Sequence, residues 1–205
     1  MSSDILQKIA RHTQEKLDVR RAKLPFDQLK QTLSTRKSVS DNNQPHSQNS
    51  FSSRNLFDQI KTGKAPRVIA EVKRQSPSQG QLKLSADPVE IAQQYCKAGA
   101  AAISVLTEED YFKGSLKDLQ KVRLNITDKP ILQKDFIIDP YQIYEAKLLE
   151  ADAILLIVSL LGLKTTYEYY QMAVNMSLTP LVEVHDENEY HQATQLLDIA
   201  NGRLL

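Results

Sequence analysis

The chain contains one cysteine, Cys96, which excludes an internal disulfide and any cysteine-based metal site and fits a reducing compartment. Net charge is equally scarce. Lys and Arg number 26 against 25 Asp and Glu, leaving +1, so no long-range field gathers nucleic acid or an anionic membrane. Long hydrophobic runs are missing too: the most apolar segment, Ala153 to Leu163, is about half the ~20 residues that span a bilayer. The first thirty residues intersperse Asp4, Lys8, Arg11, Glu15 and Lys16 among their apolar positions, unlike a secretory leader. The four histidines, His12, His46, His185 and His191, have no zincin spacing, and the acid-rich loops lack the alternating ligands of a calcium site. These absences predict a cytoplasmic protein with no metal, no nucleic acid and no membrane as partner.

What is present is an ordinary globular composition: 205 residues, 41% apolar and 25% charged, which excludes collagen-like and wholly disordered chains. Leu6, Ile9, Leu17, Leu24 and Leu29 recur at roughly helical spacing, predicting amphipathic helix over the first ~35 residues with a break near Pro25. From Lys37 to Ser53 hardly an apolar side chain occurs, and a segment so polar cannot offset its chain entropy by burial. A mobile loop is expected there. A short helix through Leu56, Phe57 and Ile60 then leads to Gly63 and Pro66.

From Arg67 the pattern changes. Short apolar runs (Val68 to Val72, Ala101 to Leu106, Ile131 to Leu132, Ala153 to Val158, Leu181 to Val184, and an opening Leu204 to Leu205) alternate with helical stretches. The helix starts are marked by Asp87-Pro88, Asp139-Pro140, and Asp186 with Glu189 three residues on, each a cap or capping box. Buried strands alternating with helices require crossover connections, so the class is α/β with a parallel sheet. No glycine-rich phosphate fingerprint follows the first strand, and charged residues stand at the carboxyl ends of several strands in turn, as in a closed barrel. The division is therefore residues 1–66, an N-terminal helical extension with the polar loop 37–53, and residues 67–205, a partial barrel. Five strands and the start of a sixth occupy the 139 residues from Arg67 to Leu205, whereas eight units need ~200. The reading is a (β/α)8 TIM barrel of about five and a half units.

Three strand ends carry chemistry. In Ile69 to Gly80, strand alternation puts Glu71 and Lys73 on one face, opposite Ala70 and Val72, and the Ser76-Pro77-Ser78 turn exposes hydroxyls and backbone N–H groups just beyond. A Glu–Lys pair on a solvated edge strand is the plain alternative, weakened here because the first strand of a closed barrel has no edge. In Pro130 to Phe136, an apolar strand ends in Lys134 with Phe136 two residues on. In a partly dry barrel mouth its ammonium can protonate a developing alkoxide or form a Schiff base; otherwise it marks the strand's wet end. In Pro180 to His185, Glu183 faces opposite Val182 and Val184 and suits a general base. The loop Thr107 to Ser115 either lays Phe112 over a ligand ring or simply packs it.

These residues resemble the indole-3-glycerol phosphate synthase family. The resemblance rests on Ile69 to Gly80, Glu-Asp-Tyr-Phe-Lys-Gly-Ser at 109–115, Leu-Gln-Lys-Asp-Phe at 132–136, Leu-Leu-Ile-Val at 155–158 and Leu-Val-Glu-Val-His-Asp-Glu at 181–187, in that order. It implies a (β/α)8 barrel with an N-terminal helical extension. The implied activity is that of a carbon–carbon lyase of tryptophan biosynthesis, which acts without a cofactor. Its small phosphorylated substrate, 1-(2-carboxyphenylamino)-1-deoxyribulose 5-phosphate, becomes indole-3-glycerol phosphate by ring closure, decarboxylation and dehydration. It further implies that Lys134 is the general acid at the substrate carbonyl and that Glu183 assists proton transfer during dehydration. Lys73 would hold the anionic groups and donate a later proton, Glu71 and Ser76 would line the site, and Phe112 and Phe136 would pack on the anthranilate ring.

In the family the sixth strand brings an Asn contact, the seventh a Glu and a Ser, and the last two loops backbone N–H groups for the phosphate. The sequence from Met1 to Leu205 contains none of these positions. An open barrel is expected to expose unpaired strand edges and to fold poorly alone, and a complementary barrel segment or a fused isomerase domain is the partner such a chain would call for. The alternatives are a non-catalytic half-barrel remnant and a Schiff-base aldolase barrel using Lys134.

Overall fold

The computed structural model describes residues 3–42, 54–62, 66–76, 80–81 and 87–199. Two helices come first, α1 (Ser3–Lys23) and α2 (Phe26–Asn42), and they break where Pro25 cannot continue a helix. Their apolar stripe is buried: Leu17 and Leu29 pack with Tyr141, flanked by Leu24, Phe26, Tyr144 and Leu148. The expectation of a loop from residue 37 is corrected as far as residue 42. Helix α2 runs to Asn42, because extending a formed helix by one polar residue costs little once the first turn exists. Residues 43–53 lie outside the described residues, as do Gly63, Pro77, Ser78 and the strand expected at Leu204 to Leu205.

Helix α3 (Leu56–Lys61) is capped by Asn55, whose side chain accepts from Asp58 N. It precedes strand β1 (Ile69–Val72), followed by two short strands not foreseen, β2 (Gln75–Ser76) and β3 (Gly80–Gln81), which pair antiparallel. The remaining elements alternate: α4 (Pro88–Lys97), β4 (Ala102–Leu106), α5 (Leu116–Asn125), β5 (Ile131–Lys134), α6 (Pro140–Leu148), β6 (Ala153–Ile157), α7 (Val158–Asn175), β7 (Thr179–Glu183) and α8 (Glu187–Ile199). Each cap predicted from sequence is in place. Asp87 accepts from Val89 N and Asp139 from Tyr141 N, both with Pro at the start of the helix where its missing N–H is harmless. Asp186 accepts from Glu189 N, but the Glu189 carboxylate reaches past Asp186 to the N–H of His185.

The five long strands are parallel in the order β1-β4-β5-β6-β7. This is chain order for the long strands, with a helix after each, as in successive units of a (β/α)8 barrel. Strand β1 stands at one edge of the described sheet and β7 at the other, so the premise that the first strand has no edge does not hold within the described residues.

Alternation sorts the side chains into two faces. Outward, Val72, Ile103, Val105, Ile131, Ile154 and Leu156 join Ala92, Leu119, Val122, Ile143, Tyr169 and Ala173 of the helices in the main core, with Ala70 and Val182 against it. Inward, Leu56 of α3 packs against Ala102, Leu132 and Ala153, with Ile69 and Leu181 beside them. Leu56 is fully buried, and burying a leucine side chain stabilises by about 1.5–3 kcal/mol. Its cluster closes the inner face toward the N-terminal ends of the strands, so the residues that follow on that face stand toward the carboxyl ends.

Candidate active site

Above that apolar floor the inward positions become polar. On β7, Leu181 is followed inward by Glu183; on β5, Leu132 is followed by Lys134; on β1, Ile69 is followed by Glu71, with Lys73 one residue past the strand. The register explains why they converge, since Leu106 stands opposite Lys134, Ile157 opposite Glu183 and Ser104 opposite Glu71. Lys134, Glu183 and Glu71 therefore occupy the last inward layers of their strands, and Lys73 stands just past the end of β1.

Two ion pairs form there. Lys134 Nζ lies 3.2 Å from Glu183 Oε2, and Lys73 Nζ lies 3.2 Å from Glu71 Oε1. Each of these side chains is about one-third exposed, so each pair faces an opening rather than a sealed core. The sequence grouped Lys73 with Glu71 and placed Lys134 and Glu183 on separate strands; the fold brings the latter two into contact. No ion pair links the two couples among the described residues. Ser76 lies in β2, paired through its backbone with Gly80.

The aromatic residues come together as well. Phe112 and Phe136 are both buried, with ring centroids 6.0 Å apart at 33°. They share a cluster with Leu106, Leu155 and Ile157 of the inner face and with Leu6 and Ile9 of α1. Phe112 is held by its own loop. The Glu108 carboxylate accepts from the N–H groups of Asp110, Tyr111 and Phe112 at 2.9, 2.7 and 2.9 Å. Gly114 returns the chain so close to β4 that a Cβ there would meet the Leu106 carbonyl oxygen at 2.1 Å. Arg74, next to Lys73, clamps the same loop by paired bonds of 2.6 and 3.0 Å to Asp118 and one to the Lys113 carbonyl.

Three features of the site were not foreseen. Helix α1 roofs the aromatic pair through Leu6 and Ile9, and is fastened by Lys16 to Glu109 and Asp110 at 2.8 and 2.9 Å and by His12 stacked on Tyr111. His185 sits 3.4 Å from the second Glu183 oxygen and 3.2 Å from Ser159 Oγ. Ser159 and Leu160 reach the site because Gly162, with φ +70°, bends α7 after its first turn, a conformation that a Cβ makes costly. The third is Asp135, a buried carboxyl beside Lys134. Burial pushes its pKa up, while bonds from Thr107 Oγ1 and Phe136 N oppose the rise.

The inner face thus presents a lysine and a glutamate in contact, a second lysine–glutamate pair, and a buried aromatic couple, all at the carboxyl ends of parallel strands. A family model described as indole-3-glycerol phosphate synthase matches residues 6–199. The chain belongs to that family.

Relatives with the same printed name agree. The chain is 55% identical to one from Carboxydothermus hydrogenoformans over 62% of its own length and 47% of the relative's. It is 42% identical to one from Aliarcobacter butzleri, covering 92% of this chain and 67% of that protein. For one from Campylobacter jejuni subsp. doylei the values are 40%, 92% and 68%. The chain thus spans about half to two thirds of the length of the curated relatives it matches. The family match covers every described strand, and with them Lys134, Glu183, Lys73, Glu71, Ser76, Phe112 and Phe136. No helix among the described residues is long and apolar enough to cross a membrane.

Proposed function

We propose that this chain carries the catalytic face of an indole-3-glycerol phosphate synthase, acting on 1-(2-carboxyphenylamino)-1-deoxyribulose 5-phosphate. The observation that carries the reading is the Lys134–Glu183 contact of 3.2 Å at the carboxyl ends of β5 and β7, beside the buried Phe112–Phe136 pair. An aromatic pair gives an aminobenzoate ring a face to pack on, and an ammonium next to it has a proton for the substrate carbonyl.

The reaction then runs in two stages. The ring carbon that bears the carboxylate attacks the ketone carbon, and Lys134 protonates the ketone oxygen as it becomes a hydroxyl. The bond from that ring carbon to the carboxylate breaks, carbon dioxide leaves, and the electron pair restores the aromatic ring. Dehydration follows. The new hydroxyl leaves as water with a proton delivered to it, and a proton is removed from the neighbouring ring carbon. Lys73 supplies the first and Glu183 assists the second. Lys73 also offers charge to the substrate's anionic groups, and Glu71 and Ser76 line the site.

The test uses an optical advantage of the chain, which has no tryptophan, so indole fluorescence reports product without an indole background from the protein. Incubation of the 205-residue chain with the substrate is expected to produce indole fluorescence that Lys134→Ala abolishes. Equal product from Lys134→Ala overturns the assignment, and a lysine adduct trapped by borohydride would favour the aldolase reading instead.

A further inference from the structure

We propose that Asp135, together with Thr107, is a positioning pair that aims Lys134 at Glu183 and Phe136 at Phe112. The inference rests on the reading of Lys134 as the general acid and extends it to two residues that face away from the substrate side.

Asp135 is an unexpected residue for its surroundings. It is 7% exposed, and no ion pair reaches it among the described residues. Burial of a carboxyl without a contacting cation costs several kcal/mol, and an apolar residue would fill the space between sheet and helices without that cost. The carboxyl is kept occupied by three donors from two strand ends. Its Oδ1 accepts from Phe136 N at 2.8 Å, and its Oδ2 accepts from Thr107 Oγ1 at 2.5 Å and, at a long 3.5 Å, from Gln133 Nε2.

Those donors bracket Lys134. Gln133 precedes it and Phe136 follows Asp135, while Thr107 binds twice, its hydroxyl to Asp135 and its own N–H to the Lys134 carbonyl at 3.1 Å. The chain at 133–136 is thereby tied to the end of β4 at the point where it leaves β5. Alternation sends Lys134 inward where Asp135 goes outward, so fixing Asp135 fixes the direction in which the lysine leaves the backbone. A side chain four carbons long magnifies any rotation at its base, and a displacement of about 1 Å is enough to spoil a catalytic contact. Arg20 of α1 contacts Glu145 at 3.1 Å instead and acts on Asp135 only through space, as the Glu145 carboxyl does with opposite sign.

The test reads geometry and needs no turnover. A carbodiimide joins a carboxylate to an amine only where the two are in contact, so the 205-residue chain is expected to give a Lys134–Glu183 amide and a Lys73–Glu71 amide, both quantified by peptide mass spectrometry. In Asp135→Asn and in Thr107→Val the Lys134–Glu183 yield, relative to Lys73–Glu71, should fall about fivefold or more if contact is lost. Thr107→Ser, which keeps the hydroxyl, should restore it. A ratio within about twofold of the unsubstituted chain in either variant, with an unchanged thermal melt, overturns the proposal, because contact survives without its supports. Should Asp135→Asn fail to fold, Thr107→Val decides, since Asp135 then keeps its bonds from Phe136 and Gln133. Retained turnover in Lys134→Ala would defeat the catalytic reading alone, leaving these yields to judge the geometry.

Discussion

The two ends of the parallel sheet use charge in opposite ways. At the N-terminal end Asp152, just before β6, accepts from Ile131 N at 2.9 Å and from Arg123 at 2.7 Å, with Arg54 3.6 Å away. Arg123 is 4% exposed and also donates to the carbonyls of Ile126 and Lys129. At the carboxyl end, the Lys134 ammonium meets only Glu183 among the described residues, the other Glu183 oxygen has His185 3.4 Å away, and Lys134 and Glu183 are each about one-third exposed. The first arrangement satisfies its charges several times over and has no capacity left for a ligand. The second leaves ammonium protons of Lys134 open to one. Burial acts on the first arrangement: it raises the Asp152 pKa and lowers that of Arg123 by desolvation, which their mutual attraction only partly offsets.

The largest expected break in this comparison is functional. Lys134→Ala should reduce turnover by about 10²–10⁴-fold, the usual contribution of a positioned acid, while changing stability by less than about 1 kcal/mol because its ion pair is solvated. Product fluorescence and a urea titration measure the two effects. Asp152→Ala should do the reverse to stability: removing the shared acceptor leaves Arg123 buried without its carboxylate partner, a loss of about 3 kcal/mol in urea unfolding. If the two substitutions destabilise equally, the contrast between the ends is wrong.

Glu145, on the helix layer, sharpens the comparison through pH. Burial lifts its pKa from the ordinary 4.5 to about 7, with Arg20 opposing the rise and Asp135 adding to it, and its Oε2 is buried without a hydrogen-bond partner among the described residues. The folded protein therefore holds a proton that the unfolded chain releases. Stability from this group is present below the unfolded value and is lost as pH rises through the folded one, between 4.5 and about 7. Glu145→Gln should flatten that slope in melts taken at intervals across the window. The smallest effect belongs to Ser115, whose Oγ accepts from Asp118 N to start α5 after the Phe112 loop. Ser115→Ala should cost about 1 kcal/mol, read by the same urea titration.

Much of the fold was legible because local rules and tertiary needs agree. Alternation in β1 set Ala70 and Val72 on the face opposite Glu71 and Lys73, and that face packs in the main core; the Asp-Pro pairs marked the starts of α4 and α6. The site was legible to the level of strands: Lys134 and Glu183 each end an apolar run, but their contact depends on the stagger of β5, β6 and β7. Other features left no readable trace. A glutamate in an acidic loop reads as solvated, yet Glu108 is buried and organises that loop by accepting from its backbone. The helical spacing of Leu6 and Ile9 shows that they are buried without saying against what. Asp135 follows Lys134 in the chain, and nothing in its neighbours along the sequence reveals that Thr107 donates to it.

The roof formed by Leu6 and Ile9 has a consequence for the order in which the chain assembles. The partners of these residues extend to Leu155 and Ile157, so α1 leaves the ribosome long before its docking surface has been made. At ordinary synthesis rates the interval is on the order of ten seconds, during which an amphipathic stripe stays in water. Parallel pairing delays it further, because each strand must wait for the crossover helix before it. The aromatic pair is thus enclosed by a segment made well before its seat, and a chaperone that shields α1 during synthesis would act on the very surface that later covers the site.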